Sequence, residues 1–259
     1  MLQRMTPERW LLLRGLGREA EHWHDVPEKL QRALGLSPGS VLCLDLPGTG
    51  TETHRSSPWT LGRTLNDIRR RWHEARSDDG APWGLVGISL GGMLVLEWTH
   101  RHPQDVAAVV AINPSDRRSG LWIERLRWQA LPLMLRIAVT RDLTRREELV
   151  LQLTTGVLAG ARRKAILDER IALARRNPTR AASVARQLVA AAFWTAPTRL
   201  AVPGLVIGAD GDRMVSPLCP VRLARNLDLP FTNYPAGGHD LPVDDPEWVC
   251  ERIAEWMNS

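Results

Sequence analysis

Gly87-Ile88-Ser89-Leu90-Gly91 is the stretch that most narrows the folds open to this chain. Ahead of it, Trp83-Gly84-Leu85-Val86 is apolar and of strand length. Behind it, Gly92-Met93-Leu94-Val95-Leu96-Glu97-Trp98 has the apolar density of a buried helix. A strand that passes into a helix at a single serine needs a sharp turn, and glycines on both sides let the backbones close in. The serine hydroxyl is then held out at the carboxyl edge of its strand. The helix behind it aims its unpaired first-turn amides, and the positive end of its dipole, at the same spot. Such a seat suits the negative charge that develops during acyl transfer.

The rest of the chain alternates in the same way, which argues for a largely parallel sheet covered on both faces. Trp10-Leu11-Leu12-Leu13 reads as a first strand, ending in the turn Gly15-Leu16-Gly17. Trp23, Val26, Leu30 and Leu34 share one face of a helix over about 19 to 35. Val41 to Leu46 is a second strand, and Leu61, Leu65, Ile68 and Trp72 mark an amphipathic helix. After the central serine, Val106 to Ile112 is another buried strand. From Asn113 to about Pro197 only helical periodicity remains, broken by Pro132, Gly156, Gly160 and Pro178. Alternation resumes with Gly204 to Gly208, the strand Leu229 to Tyr234 and a last helix carrying Trp248, Ile253 and Trp256. The expected organisation is a core of residues 1–113 and 198–259, with 114–197 as a helical cap inserted into it.

With 44% hydrophobic and 24% charged residues, 259 residues suffice for one sizeable globular core. The amino terminus is charged and proline-bearing, which predicts no signal peptide. No run approaches the roughly 18 apolar residues of a membrane span. Cys43, Cys219 and Cys250 are odd in number and far apart, so a reducing, cytoplasmic setting is expected rather than a disulfide scaffold. The net charge of +5 is uneven: residues 114–198 hold 16 Arg and Lys against 7 Asp and Glu, a surplus of nine, which leaves −4 elsewhere. Nucleic-acid binding would pair a basic groove with stacking aromatics. Tyr234 is the sole tyrosine and most tryptophans lie in apolar segments, so no nucleic-acid partner is expected.

A serine hydroxyl needs a base, and the base needs a group to orient it. His239, in Gly237-Gly238-His239-Asp240 between the last strand and the last helix, suits the base, since imidazole titrates near neutrality. Asp210 and Asp212, in Gly208-Ala209-Asp210-Gly211-Asp212-Arg213-Met214-Val215, are both candidates for the orienting carboxylate. The order is serine, aspartate, histidine, each beyond a strand's carboxyl end, where open α/β sheets bind ligands. His22 and His24, two apart on a helix, make a poor metal pair, and no metal or organic cofactor is implied.

On these residues, together with Leu44-Asp45-Leu46-Pro47-Gly48-Thr49-Gly50, the chain resembles the α/β-hydrolase superfamily over essentially its full length. Within it, the look is similar to small capped esterases of the pimeloyl-acyl carrier protein methyl ester esterase type. The resemblance implies an α/β-hydrolase fold: a mostly parallel sheet, helices on both faces, and a helical cap inserted before the acid-bearing strand. It implies Ser89 as nucleophile, His239 as base and then acid, Asp212 as orienting carboxylate, and the backbone amides of Leu16 and Leu90 as oxyanion hole. Arg14 stands where such enzymes usually place a histidine; it either adds a positive group to the pocket or points outward to Glu19. Trp122, Trp128, Leu131 and Met134 are the expected acyl-pocket residues. The expected activity is serine-dependent cleavage of a small carboxylic ester, with an acidic or carrier-protein-borne acyl group suggested by the basic cap. Thioesterase, acyltransferase and lyase chemistry would use the same triad, and a non-catalytic ligand-binding protein would keep the pocket alone.

Overall fold

Six strands form a single, entirely parallel sheet in the order β2-β1-β3-β4-β5-β6. They are β1 (Arg9–Leu13), β2 (Val41–Leu44), β3 (Trp83–Ile88), β4 (Ala108–Ile112), β5 (Gly204–Ala209) and β6 (Phe231–Tyr234). This is a computed structural model, and it describes residues 6–76, 80–120 and 125–259. Every residue of β3, β4 and β5 is buried, as expected of parallel strands with helices on both faces.

Side-chain alternation divides the core into two layers. Leu11, Leu13, Leu85, Val109, Ala111 and Val206 pack under α2 (Leu61–Ala75), α3 (Leu90–Arg101) and α8 (Leu218–Leu227). Trp10, Leu12, Val86, Val110, Leu205 and Ile207 pack under α1 (Val26–Ala33) and α10 (Pro246–Met257). On the first face, the Trp72 ring meets those of Trp83 and Trp98 edge-on, with centroids 5.6 and 5.3 Å apart.

Two expected elements are shorter than their patterns suggest. The helix over 19–35 is instead a 3-10 turn, Ala20–Trp23, followed by α1. His24 between them has φ 50°, which ends the first turn, and Pro27 opens the second. Strand β2 stops at Leu44 because the Asp45 carboxylate accepts from the amides of Ala20 at 2.6 Å and Thr51 at 2.8 Å.

Between β4 and β5 the chain forms α4 (Leu131–Val139), α5 (Leu143–Thr154), α6 (Gly160–Arg176) and α7 (Ala181–Phe193). Among the described residues of this stretch the only extended pairing is an isolated bridge from Leu126 to Val215. It is tied to the sheet domain where Trp194 donates its indole N–H to Glu97 at 2.9 Å. A short α9 (Leu241–Asp244) completes the fold. Among the described residues no helix is long and apolar enough to cross a membrane.

The strand order reverses between β1 and β3, since β1 leads to β2 on one side and pairs with β3 on the other. Ligands bind outside the carboxyl ends of strands at such a switch point. Leu13 pairs with Gly87, so the loop after β1 and the turn after β3 are neighbours.

Candidate active site

Ser89 occupies the single residue between β3 and α3 with φ 56° and ψ −117°, a conformation rare for a non-glycine residue. It is held there by its own backbone: its N–H donates to the Ile112 carbonyl at 2.8 Å, and its carbonyl accepts from Met93 at 3.0 Å. The flanking glycines are needed for close approach. A Cβ at Gly91 would run into the Leu13 carbonyl, and one at Gly87 into the Gly91 carbonyl. Gly15, just after β1, lies so near that its own Cβ would be 3.1 Å from that of Ser89.

Asp212 and His239 come together in a buried hydrogen bond, Nδ1 to Oδ2, of 2.6 Å. A carboxylate accepts this bond, so Nδ1 is the donor, and in the neutral ring the lone pair is on Nε2. The other oxygen of Asp212 accepts from the amides of Met214 and Val215, both at 2.8 Å, which locks its side chain within a turn. Asp210 is exposed, and its carboxylate accepts from Asn233 at 2.8 Å instead. Among the described residues Nε2 of His239 has no hydrogen-bond partner, so the serine and the imidazole are not hydrogen-bonded here.

His239 follows the edge strand β6, yet its loop reaches back to the switch point. Asn113, at the end of β4, donates its side-chain amide to the His239 carbonyl at 2.9 Å. The loop also interlocks with the turn after α5. Asp240 donates its amide to Thr154 at 2.7 Å, and a Cβ on Gly238 would lie 2.6 Å from the Thr154 carbonyl oxygen and the Gly156 nitrogen. One carboxylate stitches the two together: Asp244 accepts from the amides of Gly156, Val157, Leu158 and Gly238 at 2.7 to 3.1 Å.

Ser89 and His239 both line one cavity of about 460 Å³, roofed by α4 to α7. Leu16 is part of its wall. Leu90 is not: its side chain is buried in the core, while its amide opens α3 with no intrahelical acceptor. Of the expected acyl-pocket residues, Met134 lines the cavity. Trp128 and Leu131 do not, and correct that expectation: they are 71% and 46% exposed. Trp128 and Leu131 lie six and three residues before the stretch of α4, Met134, Ile137 and Ala138, that faces the cavity. Trp122 lies outside the described residues. The wall is aliphatic rather than aromatic, with Val150, Leu153, Val184 and Leu188 supplied by the other helices.

The model of the alpha/beta hydrolase family matches residues 10–252. The chain belongs to that family. Among solved structures, the enol-lactonase from Burkholderia xenovorans LB400 superposes with a TM-score of 0.75 at 18% identity, covering 99% of this chain and 94% of that one. An alpha/beta hydrolase fold protein from Chitinophaga pinensis gives 0.70 at 17% identity, with 97% and 89% covered. At these identities the likeness is one of fold. A homoserine O-acetyltransferase from Natronomonas pharaonis is 27% identical over 137 residues, which is 48% of this chain and only 33% of that relative.

This alpha/beta hydrolase also buries a cluster of charge beside the serine that its sequence did not announce. Arg14 neither points outward nor meets Glu19; it donates to both oxygens of Asp240 at 2.8 and 2.7 Å. Arg170, from α6 and 0% exposed, donates to the same carboxylate at 2.6 Å. Burial alone would push the Asp240 carboxyl up, but the two guanidiniums outweigh it and hold the group well below the usual carboxylate range. Burial lowers Arg170 to about 10, which leaves it charged at neutral pH. Next to them, Arg18 pairs with Glu147 at 2.8 Å. His22 accepts the Glu19 amide on Nδ1 at 3.0 Å, and burial followed by the nearby guanidiniums pushes its pKa well down. Arg14 and Asp240 are separated by 226 positions, so only the neighbourhood of Asp240 to His239 and of Arg14 to Gly15 hinted at this cluster.

Proposed function

We propose that the protein is a serine hydrolase that cleaves a carboxylic ester through an acyl-enzyme. The observation that carries this reading is the buried Asp212–His239 hydrogen bond, with the free Nε2 beside a cavity that Ser89 also lines. In this mechanism His239 Nε2 takes the Ser89 proton as the hydroxyl attacks the ester carbonyl, and later returns it to the departing alcohol. Asp212 keeps the imidazole in the productive tautomer and stabilises the imidazolium. The amides of Leu16 and Leu90 receive the oxyanion. Water, activated by the same imidazole, then releases the acid. Helices α4 to α7 act as the cap of residues 114–197 and bind the acyl group in their aliphatic wall. Serine–imidazole bonds of this kind commonly tighten only around substrate.

The test is labelling by a fluorophosphonate probe together with turnover of chromogenic esters of graded acyl length. Covalent label on Ser89, and loss of at least about 10⁴-fold in kcat in Ser89→Ala, are expected. Unlabelled, folded protein, or a Ser89→Ala variant that keeps its activity, refutes the reading. The partial match to an acetyltransferase favours one second reading, in which an alcohol acceptor replaces water at the acyl-enzyme. Product analysis with added alcohols separates the two.

A further inference from the structure

The cluster beside Ser89 is short of negative charge. Arg14 and Arg170 share one carboxylate, Asp240, so a fully buried trio carries one surplus positive charge. The same surplus holds for the cavity wall as a whole, where Arg14, Arg18, Arg146 and Arg170 face only Glu19, Glu147 and Asp240. The trio is also short of acceptors. Among the described residues Nε and Nη1 of Arg14, Nε and Nη1 of Arg170, and Nε2 of His22 are buried with no hydrogen-bond partner. His22 accepts on Nδ1, so in its neutral form the proton sits on Nε2, and all five orphans are donors. Folded proteins leave few such groups, because a buried donor without a partner gives up its hydrogen bond to water and gains none. The five donors lie in one neighbourhood around Asp240, in which positive charge exceeds negative by one.

We propose that Arg14, Arg170 and His22 form a carboxylate-binding subsite of the Ser89 cavity, and that the substrates are esters carrying a second, ionised carboxyl group. The proposal rests on the serine ester hydrolase reading and names its substrate class. A guanidinium presents a planar fork of donors that matches a carboxylate. A single surplus charge fits a monoanion and would be overrun by a doubly charged phosphate. The position is right for a group on the substrate itself, since Arg14 precedes Gly15 at the serine and Asp240 follows His239. Met134, Val150 and Leu153 supply the apolar wall along which the carbon chain between ester and carboxylate lies.

The experiment compares kcat/KM for charged esters and their methyl-capped, neutral counterparts in two arms. The 4-nitrophenyl monoester of glutaric acid places the carboxylate on the acyl half, and 4-acetoxybenzoate places it on the alcohol half. A preference of about ten- to hundredfold for the charged member, in one arm, is expected for buried charge-assisted hydrogen bonds. Arg170→Gln leaves Asp240 paired with Arg14 and removes the surplus charge, so the preference collapses towards unity. Arg170→Lys keeps the charge and retains part of the preference. Melting curves of both variants establish that they fold. Equal rates for charged and neutral esters in both arms, or an undiminished preference in Arg170→Gln, overturn the subsite and leave the ester hydrolase reading standing. If no ester is turned over, that reading fails, and calorimetric titration with glutarate monomethyl ester decides the subsite. Binding that Arg170→Gln weakens at least about tenfold supports it, and no binding overturns it.

Discussion

Asp244 offers the sharpest test of how the loop of His239 is held. Its two carboxylate oxygens accept from four backbone amides, and Asp244→Ala removes all four hydrogen bonds at once. Gly156 and Val157 are exposed, so their N–H groups turn to water in the variant. Leu158 and Gly238 are buried and are left without partners. At about 1–3 kcal/mol for each stranded donor, the loss of stability is about 2–6 kcal/mol. With about 2–4 °C of melting temperature per kcal/mol for a domain of this size, the central value near 4 kcal/mol corresponds to about 8–16 °C. Differential scanning calorimetry reads this directly. Asp168→Ala is the control, because its pairing with Lys164 is solvent-exposed and worth at most about 1 kcal/mol. Since Gly238 adjoins His239, kcat for an ester also falls, by about a hundredfold if the ring moves by 1 Å. An Asp244→Ala variant that melts within about 2 °C of the parent refutes the assignment of this carboxylate as the stitch between the two loops.

Three further outcomes follow from the same geometry. Gly91→Ala forces a methyl group into the Leu13 carbonyl, so denaturant titration is expected to show a loss of at least about 1–3 kcal/mol, with ester turnover lost; native stability in this variant counts against the described turn. Asp240 has a depressed pKa in the folded state, so its contribution to stability is present above its unfolded value, about 3.9, and is lost as pH falls through the folded one. The stability gap between the parent and Asp240→Asn therefore narrows on acidification below about pH 4, and a gap independent of pH contradicts the buried pairing. Burial pushes the thiols of Cys43 and Cys250 up to about 12 and that of Cys219 up to about 11, so iodoacetamide at pH 8 leaves native protein unlabelled and modifies all three cysteines after unfolding, as read by mass spectrometry.

Patterns with a short period were legible in the sequence, and pairings across the fold were not. The central strands β3, β4 and β5 stand where apolar runs bounded by turn residues put them, because a strand buried on both faces leaves an unbroken apolar signature. The turn at Ser89 was readable because its glycines answer a local steric demand. Asp210 and Asp212 looked alike as residues; what separates them is burial and the position of His239, a property of three segments at once. The cavity wall was harder still. Apolar residues recur on α4 at helical spacing, yet the periodicity does not say where along the helix the wall begins, which is why Leu131 and Trp128 fall outside it. The Arg14–Asp240–Arg170 cluster has no sequence period at all, since each member comes from a different element.

The interlocked backbones of Thr154 to Leu158 and Ala236 to Asp240 restrict how the roof over the Ser89 cavity can move. Lifting the four roof helices as one body would pull on the loop of His239 and strain its hydrogen bond to Asp212. Helix α4 is the least anchored part of that roof: it has no fully buried residue, and of its residues only Met134, Ile137 and Ala138 line the cavity. Its amides are expected to exchange with deuterium fastest among the roof helices, while the loop that carries His239 stays protected by its link to the turn after α5.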